Sequence, residues 1–437
     1  MLPIGLAFIF IAAISFLGFA INAMFNKLKI TNVLPLILIG VLIGPVLHIL
    51  STGSQSLISN ISPYITAVAI SFVLFDVGLN IKFKSLGSVL LKATKFTLIV
   101  QILIGVAASA IVYFGFGWNV VLSLIFGFAV SGPSSIITPT LVKQVDVSEN
   151  IKTTLNYEGV VSDVLQLIVP LTLLGILVNT TGSTYLLGTV IFTEIVGAIM
   201  LGVVSAFFWL YILNRFNEYA TEYSWVLTVS MIIATYGIAT QLNLNATLTV
   251  FLFGLIFGNI SHTKSPADKK PSIIEKYFNV GEDAQHIMLY QKEVVLFVST
   301  FFFVYIGLLF NSVGFNITEV IVALLVALVI IPIRYLLTTP LLGSILSKDP
   351  KVQDSEKALI YFNVPRGLAT AIVATLPLSY GLSADSFINT AFLVILLTNI
   401  LFTFGVMYNY KPPQPQPAKK PDTVAPAKKT DSAAAKK

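Results

Sequence analysis

Apolar runs of about 20 residues follow one another from the first residues to Tyr410, joined by connections too short to fold on their own. A bilayer core of ~30 Å is crossed by about 20 apolar residues in helical form. In lipid, each backbone polar group must be satisfied internally, so runs of this length span as α-helices. The chain is therefore expected to be an all-α polytopic membrane protein. Composition agrees. Charged residues make up 11% of the 437 residues, against about 25% in soluble domains. No hydrophilic block is left over for a separate catalytic domain, so an enzyme is not expected. The absence of cysteine excludes disulfides and thiolate sites. No basic residue precedes the first run, which reads as a spanning helix and not a cleaved signal peptide.

Thirteen spans are predicted, near 3–25, 33–50, 61–80, 94–114, 119–142, 154–178, 184–213, 223–241, 246–260, 294–311, 316–341, 357–380 and 385–409. Charge tests the count. The connections after spans 2, 4, 6, 8, 10 and 12 contain no Lys or Arg. The alternate connections carry Lys27, Lys29, Lys82, Lys84, Lys92, Lys95, Lys143, Lys152, Arg215, Lys264, Lys269, Lys270, Lys276, Lys292, Lys348, Lys351 and Lys357. Seven more lysines follow Tyr410. By the positive-inside rule that side is cytoplasmic. The N-terminus is then outside and the C-terminus inside a multi-pass cell membrane, which requires an odd number of spans. Residues 411–437, rich in Pro, Ala and Lys, are expected to form a disordered basic cytoplasmic tail. No nucleic-acid surface is expected.

Two spans are interrupted. Span 5 contains "AVSGPSSIITPTL" (129–141), with Gly132, Pro133 and the hydroxyls Ser131, Ser134, Ser135 and Thr138 at its middle. Span 12 contains "YFNVPRGLATA" (361–371), with Pro365 and Gly367 at mid-depth. Proline removes a backbone donor and clashes with the preceding turn. Freed backbone at this depth is tolerated only where protein or a water-filled cavity satisfies it. The neighbours echo one another: Gln101 lies 32 residues before Pro133 and Arg334 lies 31 before Pro365. Asp163 lies 30 after Pro133, and Thr398 and Asn399 lie 33 and 34 after Pro365. This is the pattern of inverted repeats with two crossing broken helices and a substrate site at the midplane.

Span 6 holds two acids in "NYEGVVSDVLQLIVP" (156–170). At 100° per residue, Glu158 and Asp163 point about 140° apart, so they have different partners. Asp163 shares its face with Gly159, Gln166 and Pro170, and Glu158 shares its face with Ser162. A carboxylate at mid-membrane holds a proton or a monovalent cation but not both well, and that exclusion is an exchange mechanism. Hard cations take oxygen ligands; Ser131, Ser134, Ser162 and carbonyls at the breaks are candidates. The competing reading of Asp163 is a salt bridge to Arg334 or Arg366 that only holds helices together. For Glu158 the bracing role is the expected one. Asp76 and Glu194 are further intramembrane acids without an assigned role. Glu293 and Glu319 are expected to be interfacial, and His48, His262 and His286 lack metal-ligand spacing. No cofactor motif is present.

These segments resemble the monovalent cation:proton antiporter superfamily, closest to sodium/proton exchangers of the NhaP and NHE type. "LPLILIGVLIGP" (34–45) is similar to that family's second span. "SGPSSIITPTLVKQVDVSENIKTTLNYEGVVSD" (131–163) resembles its stretch from a Thr-Asp-Pro break to an acidic E-x-x-x-N-D motif. "IPIRYLLTTPL" (331–341) and "VPRGLATAIVATLP" (364–377) resemble its arginine-bearing span and its second broken helix. The resemblance implies that Asp163 binds the cation (Na⁺, with K⁺ and Li⁺ open) and the proton. It also implies that Glu158 pairs with Arg334 and that Arg366 stabilises the second break. It implies a homodimer within a transporter domain at 1–410. Spans 1–3 and 8–10 (about 1–82 and 223–311) would form the dimerisation part. Spans 4–6 and 11–13 (about 94–178 and 316–409) would form a moving core, with span 7 (about 184–213) as linker.

The chain departs from that pattern twice. The break is Ser131-Gly132-Pro133, without the family's acid, and Ser162 precedes Asp163 where the family has Asn or Asp. One central carboxylate predicts electroneutral exchange of one proton for one cation. Two alternatives stand beside antiport. One is a cation-coupled organic-anion symporter using a free Arg334 or Arg366. The other is a non-transporting membrane sensor.

Overall fold

The computed structural model describes residues 4–28, 33–47, 57–81, 88–142, 145, 147–179, 184–215, 217–261, 281–310, 316–379 and 385–408. The basic tail lies outside them, as do His48, His262, Lys29, Lys82, Lys84, Lys143, Lys264, Lys269, Lys270 and Lys276.

The described elements are helices, numbered here in chain order. The first elements are α1 (Ile4–Leu28), α2 (Val33–Val41, continued by a π turn at Leu42–Val46) and α3 (Leu57–Asn80). Next come α4 (Ser88–Phe116), α5 (Val120–Ala129), α6 (Ile137–Val142), α7 (Glu149–Asn179) and α8 (Thr184–Arg215). They are followed by α9 (Asn217–Gln241), α10 (Ala246–Ser261), α11 (Gly281–Leu309) and α12 (Ile317–Leu342). The last are α13 (Pro350–Tyr361), α14 (Leu368–Ser379) and α15 (Asp385–Tyr408). Among the described residues, eight helices (α3, α4, α7, α8, α9, α11, α12 and α15) are long and apolar enough to cross a membrane. Shorter apolar helical stretches lie in α1, α2, α5, α10 and α14. Three helices begin before the spans expected from the sequence at 94, 154 and 294: α4 at Ser88, α7 at Glu149 and α11 at Gly281. Hydropathy registers only the apolar part, whereas the hydrogen-bonded ladder runs on through the polar turns.

Packing draws the helices into two groups. In one, α3 lies along α10 and α2 along α11, at backbone contact. A Cβ at Gly40 would sit 2.8 Å from Gly307 Cα, and one at Gly78 would sit 2.6 Å from the Leu255 amide nitrogen. Only glycine lets two helix backbones approach so closely. Around α3, α8, α9 and α10, an aromatic cluster forms from Phe72, Phe75, Trp209, Phe253 and Phe257. In the other group α4, α5, α7, α12 and α15 pack together. There a Cβ at Gly127 would sit 2.7 Å from the Ser109 amide nitrogen, bringing α5 against α4.

Helix α5 stops at Ala129 because Pro133 has no amide to offer the carbonyl four residues back. The helical path resumes at Ile137 in α6, and α13 likewise ends at Tyr361 with α14 resuming at Leu368 around Pro365. The two gaps lie against each other: the Ser134 amide donates to Pro365 O at 2.9 Å.

Candidate functional site

Freed carbonyls at the two gaps are satisfied by each other's residues. Ala129 O accepts the Thr370 hydroxyl at 2.8 Å, and Val130 O accepts Arg366 Nε at 2.6 Å. Arg366 Nη1 turns back to Val364 O at 2.8 Å. The Arg366 backbone is held in turn from α15, where Asn399 Nδ2 donates to its carbonyl at 2.8 Å and Thr398 Oγ1 accepts its amide at 3.3 Å. Thr138 Oγ1 donates to Asn363 Oδ1 across the gap at 2.8 Å. The carbonyls of Ala129, Val130, Val364, Pro365 and Arg366 at the gaps thus each keep a hydrogen bond, as burial favours.

Gly132 and Gly367 permit the approach. A Cβ at Gly367 would collide with the Ser134 side chain. One at Gly132 would lie 2.6 Å from Ser162 Oγ and 2.7 Å from Gln166 Nε2. Ser162 is thus wedged against the first gap, 0% exposed, and its hydroxyl has no hydrogen-bond partner among the described residues. Gln101 Nε2 of α4 donates to Ser162 O at 3.2 Å.

Asp163 sits at the centre, 3% exposed. Its Oδ2 accepts the Ser135 amide at 3.1 Å and also the Ser135 hydroxyl. The approach depends on Gly159, one turn earlier on the same face, where a Cβ would lie 2.8 Å from Ser135 Cα. No cationic side chain pairs with Asp163 among the described residues. Glu158, on another face of α7, is paired with Arg334 of α12, Nη1 to Oε1 at 2.6 Å and Nη2 to Oε2 at 2.9 Å. Asn363 Nδ2 adds a bond to Glu158 at 3.0 Å, and Arg334 Nε donates to Ile360 O at 2.7 Å. Both Arg334 and Arg366 are 0% exposed.

The structure thus brings Glu158 and Arg334 together and places Arg366 between the gaps. It does not bring the hydroxyls of Ser131, Ser134 or Ser162 to Asp163. Ser131 donates to Phe128 O at 2.8 Å, Ser134 Oγ accepts the Ile136 amide at 3.3 Å, and Ser162 is turned into the packing against Gly132. Ser135 takes their place at the carboxylate. Sequence reasoning counted Ser135 only among a cluster of hydroxyls. The available signal was Gly159 on the Asp163 face, which marks where backbone docks. Glu319 has partners the sequence does not reveal. It lies at a span end as expected but is buried, closing a capping box with Asn316 and accepting Asn389 Nδ2 of α15 at 3.1 Å. Glu293 is exposed. Asp76 has Lys292 as its charged neighbour, and the Glu194 carbonyl accepts the Asn245 amide at 3.5 Å.

Comparison with known proteins gives concordant results. The family model for sodium/hydrogen exchangers, transmembrane, matches residues 10–407. The Na(+)/H(+) antiporter NhaP of Pseudomonas aeruginosa is 23% identical over 178 residues, which cover 40% of this chain and 42% of that protein. The Probable Na(+)/H(+) antiporter 2 of Methanocaldococcus jannaschii is 23% identical over 302 residues, 68% of this chain and 67% of that protein. The match thus spans less than half the length of the Pseudomonas relative. In three dimensions the chain is similar to the sodium proton antiporter MjNhaP1 of M. jannaschii, with TM-score 0.72, 18% identity, and coverage of 91% of this chain and 95% of that one.

Proposed function

The chain belongs to the sodium/hydrogen exchanger family, and from that premise we propose that it exchanges Na⁺ for H⁺ by alternating access at Asp163. One observation carries the reading: Asp163 is buried beside the two helix gaps and is bound by a serine, with no cationic side chain paired to it among the described residues. A carboxylate so placed holds one proton or one alkali cation, and either load leaves the site neutral. Glu158 is already neutralised by Arg334, and neither Gly132 nor Ser162 titrates. Exchange is accordingly one for one and electroneutral.

The reading includes thirteen crossings, with α5–α6 and α13–α14 each forming one, in inverted repeats. It keeps α4–α7 and α12–α15 as a moving core, α1–α3 and α9–α11 as the dimerisation part of a homodimer, and α8 as linker. Support for the division comes from the seam. Within the groups, helices touch backbone to backbone at glycines. Between them, contacts run through side chains: Thr66 with Thr375 at 3.2 Å, Asn245 with Thr172 at 3.3 Å, and the Phe310 and Phe392 rings stacked at 4.2 Å.

Organic-anion symport needs an arginine facing a cavity; both arginines are buried, Arg334 is paired with Glu158, and Arg366 is held through Nε and Nη1 while its Nη2 has no partner among the described residues. The test is a screen of Na⁺, K⁺ and Li⁺ for collapse of a pH gradient in proteoliposomes. Cation-driven collapse supports antiport. A gradient unmoved by any cation at any concentration ends the proposal and leaves a sensor role.

A further inference from the structure

We propose that Ser135 is the second oxygen the transported cation meets at Asp163, and so a specificity-determining residue of this chain; the inference rests on the antiport reading above. The hydroxyls near the carboxylate divide clearly. Ser131 gives its proton to Phe128 O. Ser134 caps the Ile136 amide and lies against Gly367. Thr138 is bound to Asn363, and Ser162 is packed against Gly132. Ser131, Ser134, Thr138 and Ser162 are all buried. Ser135 alone among them contacts Asp163, through both its amide and its hydroxyl, and its side chain is only half-buried.

A serine hydroxyl has one proton and two lone pairs. With the proton donated to Oδ2, the lone pairs remain for a hard cation held by the same carboxylate, and such cations take oxygen. The surroundings supply few alternatives. Of the helices packed on α7, α5, α6, α10 and α14 contain no ionisable side chain. Helix α4 brings Lys92, Lys95 and Tyr113, and α3 brings Tyr64 and Asp76. Gly132 contributes no acid at the break. Neutral oxygen therefore carries a larger share of the cation's shell here, and Ser135 is the neutral side chain in position.

The experiment compares wild type, Ser135→Ala, Ser135→Cys and Ser135→Thr in proteoliposomes, reading half-saturating Na⁺, Li⁺ and K⁺ separately from maximal rate. Ser135→Ala and Ser135→Cys are expected to raise half-saturating Na⁺ about five- to tenfold, the size of one neutral oxygen contact. Their maximal rates stay within about twofold, because the contact is made alike in the loaded ground state and in the transition state of the crossing. The Na⁺ to Li⁺ preference changes, and Ser135→Thr restores wild-type values. Wild-type half-saturation for every cation in the alanine and cysteine variants overturns the proposal, as does a fall in maximal rate alone. Wild-type protein that exchanges no cation overturns the antiport reading itself, and the two failures are distinguishable.

Discussion

Glu158 and Arg334 meet in a two-pronged ion pair sealed from solvent, on helices whose residues are 176 positions apart in sequence. Asn363, Ile360 O and the Phe96 ring, 5.4 Å from the guanidinium carbon, complete the surroundings. Two charges taken out of water together contribute little net stability, but stranding one costs about 3–5 kcal/mol. Glu158→Gln and Arg334→Met alone should each lower the melting temperature sharply. The double variant should lose much less than the sum. Strictly additive losses in thermal melts would show that the two residues do not act as a pair.

The two departures from the family pattern touch each other. A side chain at Gly132 would run into Ser162 and Gln166. Restoring the acid with Gly132→Asp should therefore destabilise by about 1–3 kcal/mol from overpacking alone. Adding Ser162→Ala should recover part of that loss. Gly132→Asp protein with a wild-type melting temperature would mean the gap has room to spare.

Gly159 sets the distance between the first gap and α7. Gly159→Ala puts a methyl group 2.8 Å from Ser135 Cα and 3.1 Å from the Ser134 carbonyl carbon. Backbone must give way, and Asp163 loses both donors at once. Half-saturating Na⁺ should rise further than in Ser135→Ala, while the protein still elutes as a folded species. An unchanged half-saturation would separate the glycine from the site.

Much of this was legible before any coordinates, and the reasons are physical. Proline at mid-span frees a backbone carbonyl but does not by itself end a helix, since Pro170, Pro332 and Pro377 lie within helices; the interruptions at Pro133 and Pro365 were expected from the glycine and polar residues clustered with each of them. The 140° between Glu158 and Asp163 follows from helical period alone, and it separates their partners. Ser135 could not be distinguished from Ser131 and Ser134, because hydroxyls within one turn of each other look alike until the turn that orients them is known. The partner of Glu319 was hidden for a related reason: it stands at a helix start as its position suggested, but the cap it closes is covered by Asn389 of a distant helix.

Electroneutrality can be checked independently of any variant. If a single carboxylate carries both ions, each loaded form of the carrier has the same charge. An imposed potential, of either sign, should leave both the exchange rate and the final gradient unchanged. A shift in the final gradient with potential would require unequal numbers of protons and cations.

The most direct test of the central claim is the pH dependence of half-saturating Na⁺ in proteoliposomes, measured for wild type beside Asp163→Asn. If proton and cation compete for Asp163, half-saturation on the acid side rises about tenfold per pH unit while maximal rate stays level. Asp163→Asn then exchanges nothing at any pH. Half-saturation indifferent to pH, or exchange surviving in Asp163→Asn, would contradict the account.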